Sequence, residues 1–191
     1  MRLAILGAGA WGTALAIAFG ARHRVALWTR EDDVVQTMRS ERENRRFFPG
    51  HRLPDTVEVV DAFESAVESA DLVIVATPVA GLRPTLKRLR ETCAAPKSLL
   101  WVCKGFEAET ALLPHQVVAE ELGDWYKPGR TNAAYGVLTG PSFAEEVARG
   151  LPTAITLAAN HLEFAQALVS ELHYPLFRIY LNDDLPGAET G

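Results

Sequence analysis

Three glycines stand in the run Gly7-Ala8-Gly9-Ala10-Trp11-Gly12, directly after the apolar segment Arg2–Leu6 and at the head of an alanine-rich stretch. A G-x-G-x-x-G spacing between a strand and a helix is the geometry of a dinucleotide pyrophosphate cradle. Gly7 permits the tight turn, Gly9 lets the pyrophosphate approach the backbone, and Gly12 lets the helix pack closely on the strand. The free N–H groups and positive dipole end of that helix then hold the phosphates. A packing turn alone is the competing account, and the strand–glycine–helix order disfavours it. Arg30 closes the next apolar run, with Glu31 and Asp32 behind it. At that strand end an acid receives a ribose 2′-hydroxyl and an arginine a 2′-phosphate, so Arg30 points toward NADP while the acids leave NAD open.

Lys104-Gly105 follows the apolar run Ser98–Cys103, where its ammonium can meet a phosphate, carboxylate or carbonyl; a solvated strand-end lysine fits the position as well. Thr139-Gly140-Pro141-Ser142-Phe143-Ala144-Glu145 is the remaining constellation. Ser142 and Glu145 have capping-box spacing, which by itself accounts for a helix start. The same turn offers backbone N–H groups to a substrate hydroxyl or a nicotinamide amide. It also approximates a nucleophile elbow, with Ala144 in the final glycine's place. That would make Ser142 the nucleophile of a hydrolase served by His161 or His173. The hydrolase reading leaves the N-terminal glycines unexplained and ranks below cofactor binding.

Positioning these residues requires an alternation of elements, and the periodicity supplies one. Strands are expected near Arg2–Leu6, Arg24–Thr29, Val57–Val60, Leu72–Thr77, Ser98–Cys103, Tyr135–Thr139, Thr153–Leu157 and Phe177–Leu181. Helical patterns lie between them, from Trp11–Ala21 to Leu162–Leu172. Runs such as LAIL and LVIVAT are apolar throughout, as parallel strands covered on both faces require. The pattern predicts a doubly wound α/β sheet. Residues 41–55 are expected to form a long loop holding Asn44, Phe47 and Phe48. Residues 182–191 read as a linker, with proline, glycine and acids and no closing element.

With 191 residues, 48% of them hydrophobic, the chain can bury one core. Nineteen basic residues against 24 acidic ones give a net charge of −5, which argues against nucleic-acid binding. No apolar run is long enough for a membrane span, and glycines interrupt the one segment that resembles a secretory leader. Cys93 and Cys103 form neither a disulfide framework nor a metal motif, and the five histidines are scattered, so reduced thiols, a cytoplasmic location and no metal are expected.

Taken together, GAGAWGTALA, LWTR, NRRFFPG, VCKGFEAET, LTGPSFAEEVARGLPTA and NDDLPGAETG resemble, in order, the bacterial NAD(P)-dependent glycerol-3-phosphate dehydrogenases. The resemblance implies a Rossmann-like α/β fold, a doubly wound and mostly parallel sheet with helices on both faces. It implies Gly7, Gly9, Ala10, Trp11, Gly12, Arg30, Phe47 and Ala144 at an NADP or NAD cofactor, with NADPH favoured. Lys104 would reach both cofactor and substrate, with Gly140 and Ser142 at the substrate, dihydroxyacetone phosphate or sn-glycerol 3-phosphate. Ala10 departs from the serine frequent in that family, which removes one hydroxyl contact. Phe48 stands where leucine is common.

The resemblance further implies a dinucleotide-binding domain over 1–181 and a linker over 182–191 leading to a helical substrate domain absent from this sequence. The acid/base lysine of the family would lie beyond Gly191, leaving Lys104 in a supporting electrostatic role and the fragment inactive alone. A homodimer through the missing domain and a place in glycerophospholipid synthesis belong to the same expectation. A non-catalytic dinucleotide-sensing module is the alternative outside enzymology.

Overall fold

The computed structural model describes residues 1–127, 129 and 131–190. Its centre is a sheet of eight strands whose apolar runs determine its layers. Strand β1 (Arg2–Leu6) lies between β2 (Arg24–Trp28) on one side and, after a crossover, β6 (Leu72–Val75) on the other, all parallel. The short β3 (Glu43–Asn44) and β4 (Phe48–Arg52) stand outside it as an antiparallel pair, and β5 (Val57–Val60) closes the edge beside β2. In the other direction follow β7 (Leu99–Trp101), β8 (Tyr135–Thr139), β9 (Thr153–Ala159) and β10 (Phe177–Asn182). Within the eight-stranded sheet, among the described residues, only the β8–β9 pairing is antiparallel. The doubly wound, mostly parallel architecture expected from the sequence is therefore present.

Alternate residues of each strand feed two separate cores. Leu3, Ile5, Leu27, Ile74 and Leu100 face one layer, while Ala4, Leu6, Val73, Val75 and Trp101 face the other. Helices α1 (Ala10–Gly20), α2 (Asp32–Glu41), α6 (Ala144–Ala148) and α7 (Leu162–Leu172) cover the first. Helices α3 (Phe63–Val67), α4 (Val79–Thr92), α5 (Pro114–Leu122) and α8 (Leu185–Thr190) cover the second. Helix α1 is apolar on nearly all sides because it is sandwiched between the sheet and α6.

Four expectations are corrected. Several strands end earlier than their apolar runs, β2 at Trp28, β6 at Val75 and β7 at Trp101, so Thr29, Thr77 and Cys103 belong to loops. The loop expected over 41–55 contains the β3–β4 hairpin, invisible to periodicity because Phe48-Pro-Gly-His-Arg52 has no alternation and Gly50 turns it with φ +84°. The capping box does not form: Phe143 is the N-cap of α6, with no side-chain cap. The stretch 182–190 is ordered as the end of β10 and then α8, which buries Leu185, Ala188 and Glu189; Gly191 lies outside the described residues.

Candidate functional site

In open α/β sheets ligands bind outside the carboxyl ends of the strands, where the crossover direction reverses. Here the reversal lies between β1 and β6, and the glycine turn sits on it. The Gly7 N–H donates to the Trp28 carbonyl at 2.8 Å, and Gly7 adopts φ +117°. A Cβ at Gly7 would lie 2.7 Å from the Ala76 carbonyl, and one at Gly12 2.0 Å from the Gly7 carbonyl. Both are thus required by packing. Gly9 differs: a Cβ there meets nothing within 4 Å, and the space it would enter lies before the N-terminus of α1. No acid stands in the first turn of α1, so its positive pole has no side-chain partner there. Among the described residues, this open cradle fits a pyrophosphate. Ala10 and Trp11 form the first turn of α1 and are half-buried.

The turn is pinned from behind. Asn44, fully buried in β3, donates to the Ala8 carbonyl at 2.7 Å and to the Thr13 hydroxyl at 2.8 Å. Its own side-chain oxygen accepts from the Phe47 N–H at 3.1 Å. Phe47 is exposed, with the Arg46 guanidinium 5.0 Å from its ring centre. At the other end of the hairpin, His51 stacks on Phe48 and its Nε2 lies 2.7 Å from Glu145 Oε2 on α6. The hairpin therefore ties the phosphate turn to the helix that follows Gly140 and Ser142. Neither Asn44 nor His51 stands out by spacing, since each partner is dozens of positions away.

Arg30 extends from the end of β2 with its side chain 85% exposed. Glu31 is drawn away toward the Thr29 hydroxyl, and that hydrogen bond, helped by Arg30 at 3.2 Å, holds its carboxyl below the usual range. Asp32 and Asp33 begin α2 immediately afterward.

Lys104 and Gly140, 36 positions apart, are brought together: the ammonium donates to the Gly140 carbonyl at 3.0 Å. Ser142 is half-buried, with its N–H bonded to the same carbonyl at 3.0 Å, and Ala144 opens α6. The loop bearing Lys104 is clamped by Glu107, to which the sequence pattern assigns no role. Glu107 accepts two bonds from the Arg83 guanidinium, at 2.8 and 2.7 Å, and one from the Thr110 hydroxyl at 2.6 Å. These contacts push its carboxyl down to about 2. For the hydrolase alternative no base is in place: His173 Nδ1 instead accepts the Ile179 N–H at 3.1 Å. Among the described residues, Ser142 shares no hydrogen bond with a histidine. Cys103 is buried, which pushes its thiol up to about 12 and makes it a poor nucleophile.

With this geometry in hand, comparison with known proteins is informative. The family model described as the NAD-dependent glycerol-3-phosphate dehydrogenase N-terminus matches residues 2–165. The chain is 55% identical over 192 aligned positions to the glycerol-3-phosphate dehydrogenase [NAD(P)+] of Dechloromonas aromatica, covering all of this chain and 56% of that protein. It is 51% identical to the protein of the same description from Aromatoleum aromaticum, with the same coverage. The chain thus spans a little over half the length of these relatives. Among solved structures, the glycerol-3-phosphate dehydrogenase of Coxiella burnetii superposes with a TM-score of 0.89 at 35% identity, over 98% of this chain and 55% of that one.

Proposed function

The chain belongs to the NAD-dependent glycerol-3-phosphate dehydrogenase N-terminal family, and on that premise we propose that it is the cofactor-binding half of an enzyme interconverting dihydroxyacetone phosphate and sn-glycerol 3-phosphate. The observation that carries the reading is the glycine turn at the β1–β6 reversal, closed by packing at Gly7 and Gly12 and open at Gly9.

The nicotinamide, when bound, supplies or accepts the hydride. The chain's own residues bind and orient. The N-terminus of α1 receives the pyrophosphate, with Gly7, Gly9, Ala10, Trp11 and Gly12 forming its cradle. Phe47 would border the cofactor, and Arg30 would offer a fork to a 2′-phosphate, which favours NADPH. Lys104 trades its bond to the Gly140 carbonyl for the substrate, where its charge offsets the negative charge developing on the reacting oxygen. Gly140 and Ser142 hold the substrate and Ala144 borders the cofactor. In this proposal the dinucleotide domain includes α8, which packs on its second core, and the parent enzyme carries a further substrate domain that holds the proton-transferring lysine. That domain would also form a homodimer contact, in a cytoplasmic enzyme feeding glycerophospholipid synthesis. Among the described residues, no helix is long and apolar enough to cross a membrane.

The test is titration of the purified chain with NADPH, followed by nicotinamide fluorescence. Saturable binding, together with no reduction of dihydroxyacetone phosphate by the chain alone, is expected. Turnover by the 191-residue chain would overturn the division of labour, and absent binding would overturn the cofactor assignment.

A further inference from the structure

The amino ends of the strands, opposite the crevice, carry a second concentration of charge that the dehydrogenase reading leaves unused. Arg2 and Arg24 are register partners on the parallel pair β1–β2, so two guanidiniums start from neighbouring strands on one face. Like charges so placed repel. With Met1, Arg22, His23 and Thr56 they line an open pocket of about 530 Å³.

A single carboxylate in its lining, Asp71, is committed to Arg2: it accepts the Arg2 backbone N–H at 2.8 Å and the guanidinium at 3.3 Å. Arg22 donates to the His173 carbonyl, at 3.4 Å, and the N-terminal ammonium lies 3.4 Å from the His23 ring nitrogen and within the field of Asp71. Among the described residues the Arg24 guanidinium has no hydrogen bond or ion pair, and Arg22 has no ion pair. Two guanidiniums in one pocket therefore lack a carboxylate partner, in a chain whose net charge is −5.

Neutralising a helix end does not explain them. The carbonyls at the end of α1 are already bonded: Phe19 to the N–H groups of Arg22 and His23, and Gly20 to the Thr56 hydroxyl. A helix terminus carries only about half an elementary charge, which leaves a surplus against two unit charges. The His23 ring is held below its usual range by burial first, with the N-terminal ammonium and Arg22 lowering it further and the Glu171 carbonyl and carboxylate opposing them.

We propose that this pocket is an anion site, distinct from the dinucleotide crevice, which takes a phosphate group between the Arg22 and Arg24 guanidiniums. Arginine forks match phosphate oxygens in pairs. The inference does not depend on which dinucleotide the crevice binds.

The test is a titration of the chain, with no added N-terminal residues and in chloride buffer, with inorganic phosphate and in parallel with phenyl phosphate, followed by backbone amide NMR. Saturating shifts at Arg22, His23, Arg24 and Thr56 are expected. Arg24→Ala should weaken that binding at least about tenfold, the scale of one lost charge-assisted pair. Since Arg24 is exposed and unpartnered, this variant should fold normally. Arg30→Ala should leave these shifts unchanged. Response to phenyl phosphate alone supports the site and makes a phosphate ester its ligand; response to both supports it with free phosphate as a ligand. Shifts confined to the crevice residues Gly7–Gly12, or an unchanged affinity in Arg24→Ala, overturn the proposal.

Discussion

Asn44 and Ala8 are joined by a 2.7 Å hydrogen bond from the buried side-chain amide to the carbonyl of the glycine turn, 36 positions away. The bond converts a loop motif into part of the phosphate cradle, because the same amide also holds Thr13 on α1 and accepts from Phe47. Without it the Ala8 carbonyl would keep only the weak contact of the Thr13 hydroxyl at 3.5 Å.

Replacing Asn44 by alanine should therefore cost about 1–3 kcal/mol of stability, the penalty for buried polar groups left without partners. It should also weaken dinucleotide binding, since the turn and Phe47 lose their common anchor. Urea unfolding and NADPH titration check the two effects. Binding unchanged at the wild-type value in a folded Asn44→Ala chain would detach Asn44 from the cradle.

The three glycines of the turn should separate cleanly on substitution. Gly9→Ala places its methyl in open space and at an ordinary backbone angle, φ −69°, so the chain should fold with an unchanged melting temperature. It should lose affinity for NADPH by about tenfold or more, because the methyl occupies the approach of the pyrophosphate. Gly12→Ala would drive a Cβ to 2.0 Å from the Gly7 carbonyl, so here stability should fall together with binding. Thermal melts paired with fluorescence titrations distinguish the two cases. A destabilised Gly9→Ala chain would refute the assignment of that space to a ligand.

How far the sequence carried the fold and the site follows from what is local. The glycine turn and the two-faced burial of β1 and β6 are encoded within a few residues, and periodicity reads them, whereas the apolar runs overshoot the ends of β2 and β7. The Lys104–Gly140 contact was reachable only as an inference from strand ends in a parallel sheet. Asn44, His51 and Glu107 each tie their loop to a partner 24 to 94 positions away, and nothing local announces that long-range contact. The capping-box reading of Glu145 failed for the same reason: His51, contributed by the hairpin, engages its carboxylate. The tail was misread because Leu185 and Ala188 are too few to show a period, and its docking rests on one buried acid.

Arg30 offers a direct measure of cofactor preference. Its side chain is exposed and bonded only to Glu31, whose carboxyl is itself held by Thr29, so Arg30→Ala should leave folding intact. The variant should lose affinity for NADPH by about tenfold or more while binding of NADH changes little. Parallel titrations of both cofactors check this, and equal losses would remove the proposed 2′-phosphate contact.

The Glu107–Arg83 clamp should make the Lys104 loop sensitive to acid. The Glu107 carboxyl falls from 4.5 to about 2 on folding, chiefly through the Arg83 hydrogen bonds and then Thr110. A depressed folded value means that its contribution is complete above the unfolded value and is lost as pH falls toward the folded one. The stability difference between the wild-type chain and Glu107→Gln should accordingly be constant at neutral pH and shrink between about pH 4.5 and pH 2. Urea midpoints measured across that interval test it. A difference independent of pH would mean that the clamp does not depend on the charge of Glu107.

Glu189 should prove the anchor of the last helix. Its side chain is wholly buried and accepts from the Trp101 indole at 2.8 Å and the His115 backbone N–H at 2.9 Å, with the His115 ring as a third partner. Trp101 ends β7, three residues before Lys104, so α8 is docked beneath the strand that leads into the Lys104 loop. Glu189→Ala would leave a buried indole N–H and a backbone N–H without acceptors, at a cost of about 1–3 kcal/mol. For a domain of this size that corresponds to roughly 3–10 °C in melting temperature. Glu189→Gln retains an acceptor for Trp101 and for the His115 backbone and should recover part of the loss. Hydrogen exchange over residues 185–190 should accelerate in the alanine variant before the chain unfolds globally, because α8 has few other buried side chains. A melting temperature and exchange rates equal to wild type in Glu189→Ala would show that α8 is held by Leu185 and Ala188 alone.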